Sequence, residues 1–168
     1  MRILTVLDPL LKQKSAPVEA FDAALAALER DMRATMRQAP GVGLAAVQVG
    51  VLKRLIVFES TDDDGNILAS GTLVNPEIIE AAQEVKPYEE GCLSVPKIYI
   101  PIQRPAWVRV RYQDLTGAEH TQKYEGFSAV VVQHEMDHLN GVSITDHMTA
   151  LRRDMTLRRL RKQARNEE

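Results

Sequence analysis

The chain has 168 residues, 45% of them hydrophobic and 26% charged, and a net charge of −2. This length suits one domain that buries roughly two-thirds of its unfolded surface, and the composition is that of an ordinary globular protein, which excludes disordered and fibrous classes. No apolar run approaches the ~20 residues that cross a bilayer. The N-terminus, Met1-Arg2-Ile3-Leu4-Thr5-Val6, has neither the apolar stretch of a secretory leader nor the Arg/Ser-rich character of an organelle import signal, so a cytoplasmic location is expected. The charge is uneven. Residues 151–165 hold seven cations against Asp154 alone, a charge of +6, which leaves −8 of the net −2 to the remainder of the chain.

In chain order, Val18, Phe21, Leu25, Leu28, Met32 and Met36 recur at three- and four-residue spacing and predict an amphipathic helix over 17–37. Pro40-Gly41-Val42-Gly43 ends it in a loop. Lys53 to Phe58 reads as a strand, Asp62-Asp63-Asp64-Gly65-Asn66 as a turn, and short strands are expected around 72–79 and 83–89. A proline-punctuated loop is predicted from Pro96 to Pro105. Trp107-Val108-Arg109-Val110-Arg111-Tyr112 alternates with period two, and Asp114-Leu115-Thr116-Gly117 turns it into a partner strand at 118–124. Residues 127–140 predict a buried helix ended by Gly141, and residues 147–165 a basic terminal helix docked through Met148, Leu151, Met155 and Leu160.

The chemistry concentrates in Gln133-His134-Glu135-Met136-Asp137-His138. Histidines four apart share one helix face and can grip one metal, and a glutamate directly after the first can handle protons beside it. That arrangement points to metal-assisted attack of water on a carbonyl. A catalytic site of this type needs a third protein ligand. The metzincin pattern fails because Ile144 stands where its last histidine belongs, and the only later glutamates are Glu167 and Glu168. The third ligand is therefore sought upstream. His120, between Glu119 and Thr121 in the predicted hairpin, reads as a surface histidine, whereas Cys92 lies in Glu90-Gly91-Cys92-Leu93-Ser94, where a thiolate suits a divalent metal. As the only cysteine, Cys92 has no disulfide partner within the chain, which fits a reducing compartment. The fold expected from these elements is a single α+β domain over 1–168, with antiparallel or mixed sheets around a central metal-binding helix and helices at both ends.

Three motifs together resemble the peptide deformylase family: Gly41-Val42-Gly43-Leu44-Ala45-Ala46-Val47-Gln48, Glu90-Gly91-Cys92-Leu93-Ser94 and Gln133-His134-Glu135-Met136-Asp137-His138. Their order and spacing agree with the family, and the similarity runs from about residue 2 to 146. The resemblance implies that Cys92, His134 and His138 are metal ligands and Glu135 the general acid/base. It implies that Gln48 and the backbone N–H of Leu93 donate to the reacting carbonyl oxygen. The activity implied is removal of the formyl group from N-terminal formylmethionine of new polypeptides, with one divalent metal per chain. Fe(II) is the usual physiological ion, Ni or Co also function, and Zn often gives lower activity.

For the methionine side chain the resemblance implies a pocket of Val42, Tyr88, Phe127, Val130 and Val131, beside Gly91, with the Gly43 backbone pairing to the peptide. Asp137 and Arg104 resemble a buried pair that supports the metal helix. Glu90 either binds the substrate's N-terminal region or orients its loop. Leu7 and Leu10 depart from a proline and an arginine common in the family, and Lys97 from a common glycine. The basic tail reads either as a solvated helix or as a contact with ribosomal RNA. No DNA or membrane partner is expected. Two rival readings, a metallo-endopeptidase and an idle ribosome-binding relative, are disfavoured by Ile144 and by the intact motifs respectively.

Overall fold

The computed structural model describes residues 1–166. Among the described residues there are three α-helices: α1 Ala23–Gln38, α2 Gly126–Leu139 and α3 Ala150–Asn166. Seven strands accompany them: β1 Gly43–Ala45, β2 Leu55–Thr61, β3 Ile67–Ala81, β4 Val85–Cys92, β5 Val95–Pro105, β6 Trp107–Gln113 and β7 Glu119–Glu125. They form a five-stranded sheet in the order β1-β2-β3-β6-β7 and a separate β4–β5 ribbon, with every pairing antiparallel. Helices packed on antiparallel hairpins make the α+β architecture that the sequence predicts.

Helix α2 passes through the middle. Its buried residues include Ala129, Val132, His134, Glu135, Met136, His138 and Leu139, which between them cover more than half of the helix circumference. One core cluster joins α2 to the inner faces of the sheet and ribbon through Ile56, Leu73, Val108, Ile100 and Ile102, while a second packs α1 against β2 through Leu25, Met32, Met36 and Val57. Gly141 fulfils its expected role. It adopts φ 74° just past the end of α2, where a side chain would run into the Lys12 carbonyl.

Three expectations are corrected. The first helix begins at Ala23, not at residue 17. Asp22 caps it by accepting from Leu25 N at 3.0 Å, and the preceding segment is held extended by Asn75, whose amide brackets the Val18 backbone at 2.8 and 2.9 Å. Val18 and Phe21 thus pack beside the helix instead of belonging to it.

The predicted loop from Pro96 to Pro105 is instead most of β5. Ile100, Ile102 and Arg104 alternate inward, and a two-stranded ribbon leaves an open edge where proline's missing N–H costs no ladder bond.

The docking stripe of the terminal helix is also different. Met148 and Leu160 are buried, but Leu151 and Met155 are 71% and 62% exposed. The covered face of α3 runs through Arg153, Thr156, Leu157 and Leu160, offset around the helix from residues 151 and 155. No described helix is long and apolar enough to cross a membrane.

Candidate metal centre and active site

Distant stretches of the chain are pinned together by the N-terminal segment. Leu4 N donates to Gln48 O at 2.7 Å and Val6 N to Ser94 O at 3.0 Å, so residues 4–6 tie the turn after β1 to the turn after β4. Helix α2 lies against β1 and carries the motif histidines into the junction.

His134 and His138 occupy successive turns of one α2 face, with ring centroids 5.1 Å apart. Cys92 Sγ lies 3.4 Å from His138 Nε2, and ligand atoms of Cys92, His134 and His138 all fall within 4.8 Å of one another. His120 is far from this group in role and place. It is exposed, 2.7 Å from Asp114 Oδ2 and stacked on Tyr112. Ile144 is core.

The donor set suits a divalent metal. Glu90 Oε1 stands 2.9 Å from His134 Nδ1, and with the proton on Nδ1 the opposite ring nitrogen is left to present a lone pair. Burial opposes a charged His134, yet the hydrogen bonds with Cys92 and Glu90 outweigh it and hold its pKa well above the ordinary histidine value. Burial, aided by His134 and Arg104, pushes His138 well below it, so this imidazole is neutral. A cluster that draws positive charge between a thiol, a carboxylate and a neutral imidazole fits a metal cation.

Behind the ligands lies a buried ionic network. Arg104 holds Glu90 through two contacts of 2.6 and 2.9 Å and reaches Asp137 Oδ2 at 3.0 Å. His147 approaches the same Asp137 oxygen at 3.4 Å. Burial alone would raise the Glu90 pKa, but His134 and Arg104 outweigh it and keep the carboxylate ionised. Arg104 is 6% exposed and Glu90 4%. The Asp137–Arg104 pair is therefore a triad with Glu90, whose carboxylate is engaged by Arg104 and holds the His134 ring.

Glu135 faces the cluster from the other side. Its Oε1 is 4.0 Å from His134 Nε2, its Oε2 has no hydrogen-bond partner, and burial pushes its pKa up to about 7. A bound cation would act in the opposite direction. Gly43 explains how the backbone comes so near: a Cβ there would lie 2.5 Å from Glu135 Oε1. Gln48 is fixed by the backbone of the preceding turn. Its Oε1 accepts from Ala45 N at 2.9 Å, which turns the amide nitrogen to donate to Ser94 Oγ at 3.0 Å, with Cys92 Sγ at 3.8 Å.

Gly43, Cys92, His134 and Glu135 open onto a cleft of about 710 Å³, while Gln48, Ser94 and His138 are buried behind its lining. Tyr88, Phe127, Val130 and Val131 form an apolar wall, with Tyr88 and Phe127 centroids 5.6 Å apart. Val42, Gly43, Gly91 and Leu93 form the opposite rim, and His134 and Glu135 lie in the floor.

The sequence profile of the polypeptide deformylase family matches residues 1–154. The chain belongs to that family. It is 48% identical to the peptide deformylase of Phenylobacterium zucineum over 96% of this chain and 95% of that one. With the enzyme of Novosphingobium aromaticivorans it shares 45% identity over 95% of each. Its backbone is similar to the crystal structure of peptide deformylase from Ehrlichia chaffeensis, with a TM-score of 0.93 at 37% identity, covering 99% and 98% of the two chains. Membership makes it a metal-dependent hydrolase of the deformylase class.

Within this deformylase-family site the structure brings together all three expected ligands, Glu135 and Gln48. It also adds Ser94, fully buried and bonded to Gln48, which sequence reading passed over. A serine two residues after the ligand cysteine carries no signal of its own. Its role appears only once Gln48 is seen across from it.

Proposed function

We propose that the chain removes the formyl group from the N-terminal formylmethionine of newly made polypeptides and releases formate. The observation that carries this reading is the placement of an unpartnered Glu135 oxygen beside the Cys92–His134–His138 cluster at the floor of an apolar cleft. Cys92, His134 and His138 would hold a divalent metal, which when bound would supply water activated for attack near neutral pH. Glu135 takes the proton that the attacking water loses and returns it to the leaving amine nitrogen. The Gln48 amide and the Leu93 N–H donate to the formyl oxygen as it gains charge, a role worth about 3–4 kcal/mol per donor. Tyr88, Phe127, Val130 and Val131 take the methionine side chain, and the Gly43 backbone pairs with the peptide.

The family resemblance makes Fe(II) the ion in the cell on this reading, while Cys/His₂ ligation by itself accepts Fe, Ni, Co and Zn. The decisive measurement is formate release from formyl-Met-Ala-Ser by protein loaded anaerobically with Fe(II) or Ni(II). Turnover is expected, and none at full metal occupancy defeats the proposal.

The same reading places the enzyme in the cytoplasm, with α3 against ribosomal RNA. Arg158, Arg159, Arg161 and Lys162 are exposed and lie outside the docked stripe. Replacing Arg158, Arg159 and Arg161 by Glu is expected to abolish co-sedimentation with ribosomes at low salt, and unchanged co-sedimentation overturns that contact.

A further inference from the structure

The β4–β5 ribbon contains an irregularity beside the metal ligand. Cys92 pairs with Val95, but its neighbour Gly91 pairs with Tyr99, so Pro96, Lys97 and Ile98 are extruded from the ladder. The excursion turns at Lys97, which holds φ 60°, a left-handed conformation that glycine adopts freely and a side-chain-bearing residue does not. Both ends are fixed: Val95 is fully buried, and the Tyr99 carbonyl accepts from Arg152 Nη2 at 3.3 Å.

The extruded residues line the same cleft as Tyr88 and Phe127. Lys97 is exposed there, and among the described residues no carboxylate lies within 4.0 Å of its ammonium. Outside the metal cluster it is the cleft's one cation. Glu89 is the other exposed charge of the rim, and its position in the ladder faces uncharged Pro101.

We propose that Lys97 is a specificity-determining residue that favours substrates with an acidic side chain in the first residues after the formylmethionine. The inference rests on the deformylase reading of the cleft. With the reacting carbonyl at the cluster and the methionine against the apolar wall, the following residues leave across the rim, where an unpaired ammonium meets them. Glu89 opposes the preference on the same rim. Contacts of this exposed kind shift rate ratios modestly and weaken with salt.

The test compares kcat/KM for formyl-Met-Asp-Glu and formyl-Met-Ala-Ser, each measured on the metal-loaded enzyme at low salt. The wild type is expected to favour the acidic peptide by about threefold. Lys97→Gln should bring the ratio near one, Lys97→Glu should invert it, and Glu89→Gln should enlarge it. Lys97→Gly guards against misfolding, because glycine suits φ 60° and should still lose the preference. Wild-type and Lys97→Glu ratios that agree within error, with the neutral peptide turned over, overturn the role of Lys97 alone. No turnover of either peptide overturns the deformylase reading and this inference with it.

Discussion

Helices α2 and α3 stand in opposite relations to water. In α2 the polar side chains are inside: His134, Glu135 and His138 are all under a tenth exposed, and two of the three are tied to partners contributed by other elements. In α3 the charges are outside, and only Thr156 and Leu160 are buried. A buried polar group without a partner is costly, so the paired groups around α2 fix their neighbours, and the unpartnered Glu135 oxygen stands out among them. Arg152 reaches the Tyr99 carbonyl and Arg158 pairs along the helix with Asp154, while Arg159 and Arg161 have no hydrogen-bond or ionic partner among the described residues and are left to meet something else.

The largest expected effect lies in α2. Glu135→Gln should lower formate release by about 10²–10⁴-fold while the metal-to-protein ratio stays at the wild-type value. Activity within tenfold of wild type would show that the proton does not pass through Glu135. Next comes the network behind the ligands. Arg104→Leu strands the buried Glu90 carboxylate and should cost about 3–5 kcal/mol by urea unfolding, and a loss under about 1 kcal/mol would mean that Glu90 is hydrated after all.

In α3 the contrast can be tested within one helix. Leu160→Ala should cost about 2–3 kcal/mol because it opens the core, whereas Leu151→Ala should stay within about 0.5 kcal/mol. Equal costs would erase the distinction between the docked and the open face. Smallest of all, Lys97→Gly should raise stability by at most about 1 kcal/mol, as the release of a left-handed φ is partly offset by glycine's greater freedom when unfolded.

Much of the site was legible because its chemistry is local in sequence. The histidine pair and Glu135 follow from helical spacing, and Cys92 from the failure of Ile144 to supply a ligand. What escaped depends on contacts between distant segments. The start of α1 was misread because Val18 and Phe21 keep helical spacing with Leu25, and only Asn75, more than fifty residues on, holds them extended. Strand β5 was hidden by its prolines, although Ile98, Ile100 and Ile102 already alternated with period two. Glu90 could be read as a substrate contact or as a support until Arg104 was found against it. The stripe on α3 went wrong because apolar residues outnumber the positions that the body covers, and Thr156 took one of those positions.

The stitching of residues 4–6 to Gln48 and Ser94 has a consequence for how the molecule is made. Leu4 and Val6 bond to segments about forty and ninety positions later in the chain, and α2, which carries His134, Glu135 and His138, comes later still. At about 5–20 residues per second, seconds pass between the first clip and the arrival of the helix it serves. Contacts of such long sequence separation also close slowly. A protein that works on the beginnings of other chains therefore cannot complete its own centre until α2 has been made.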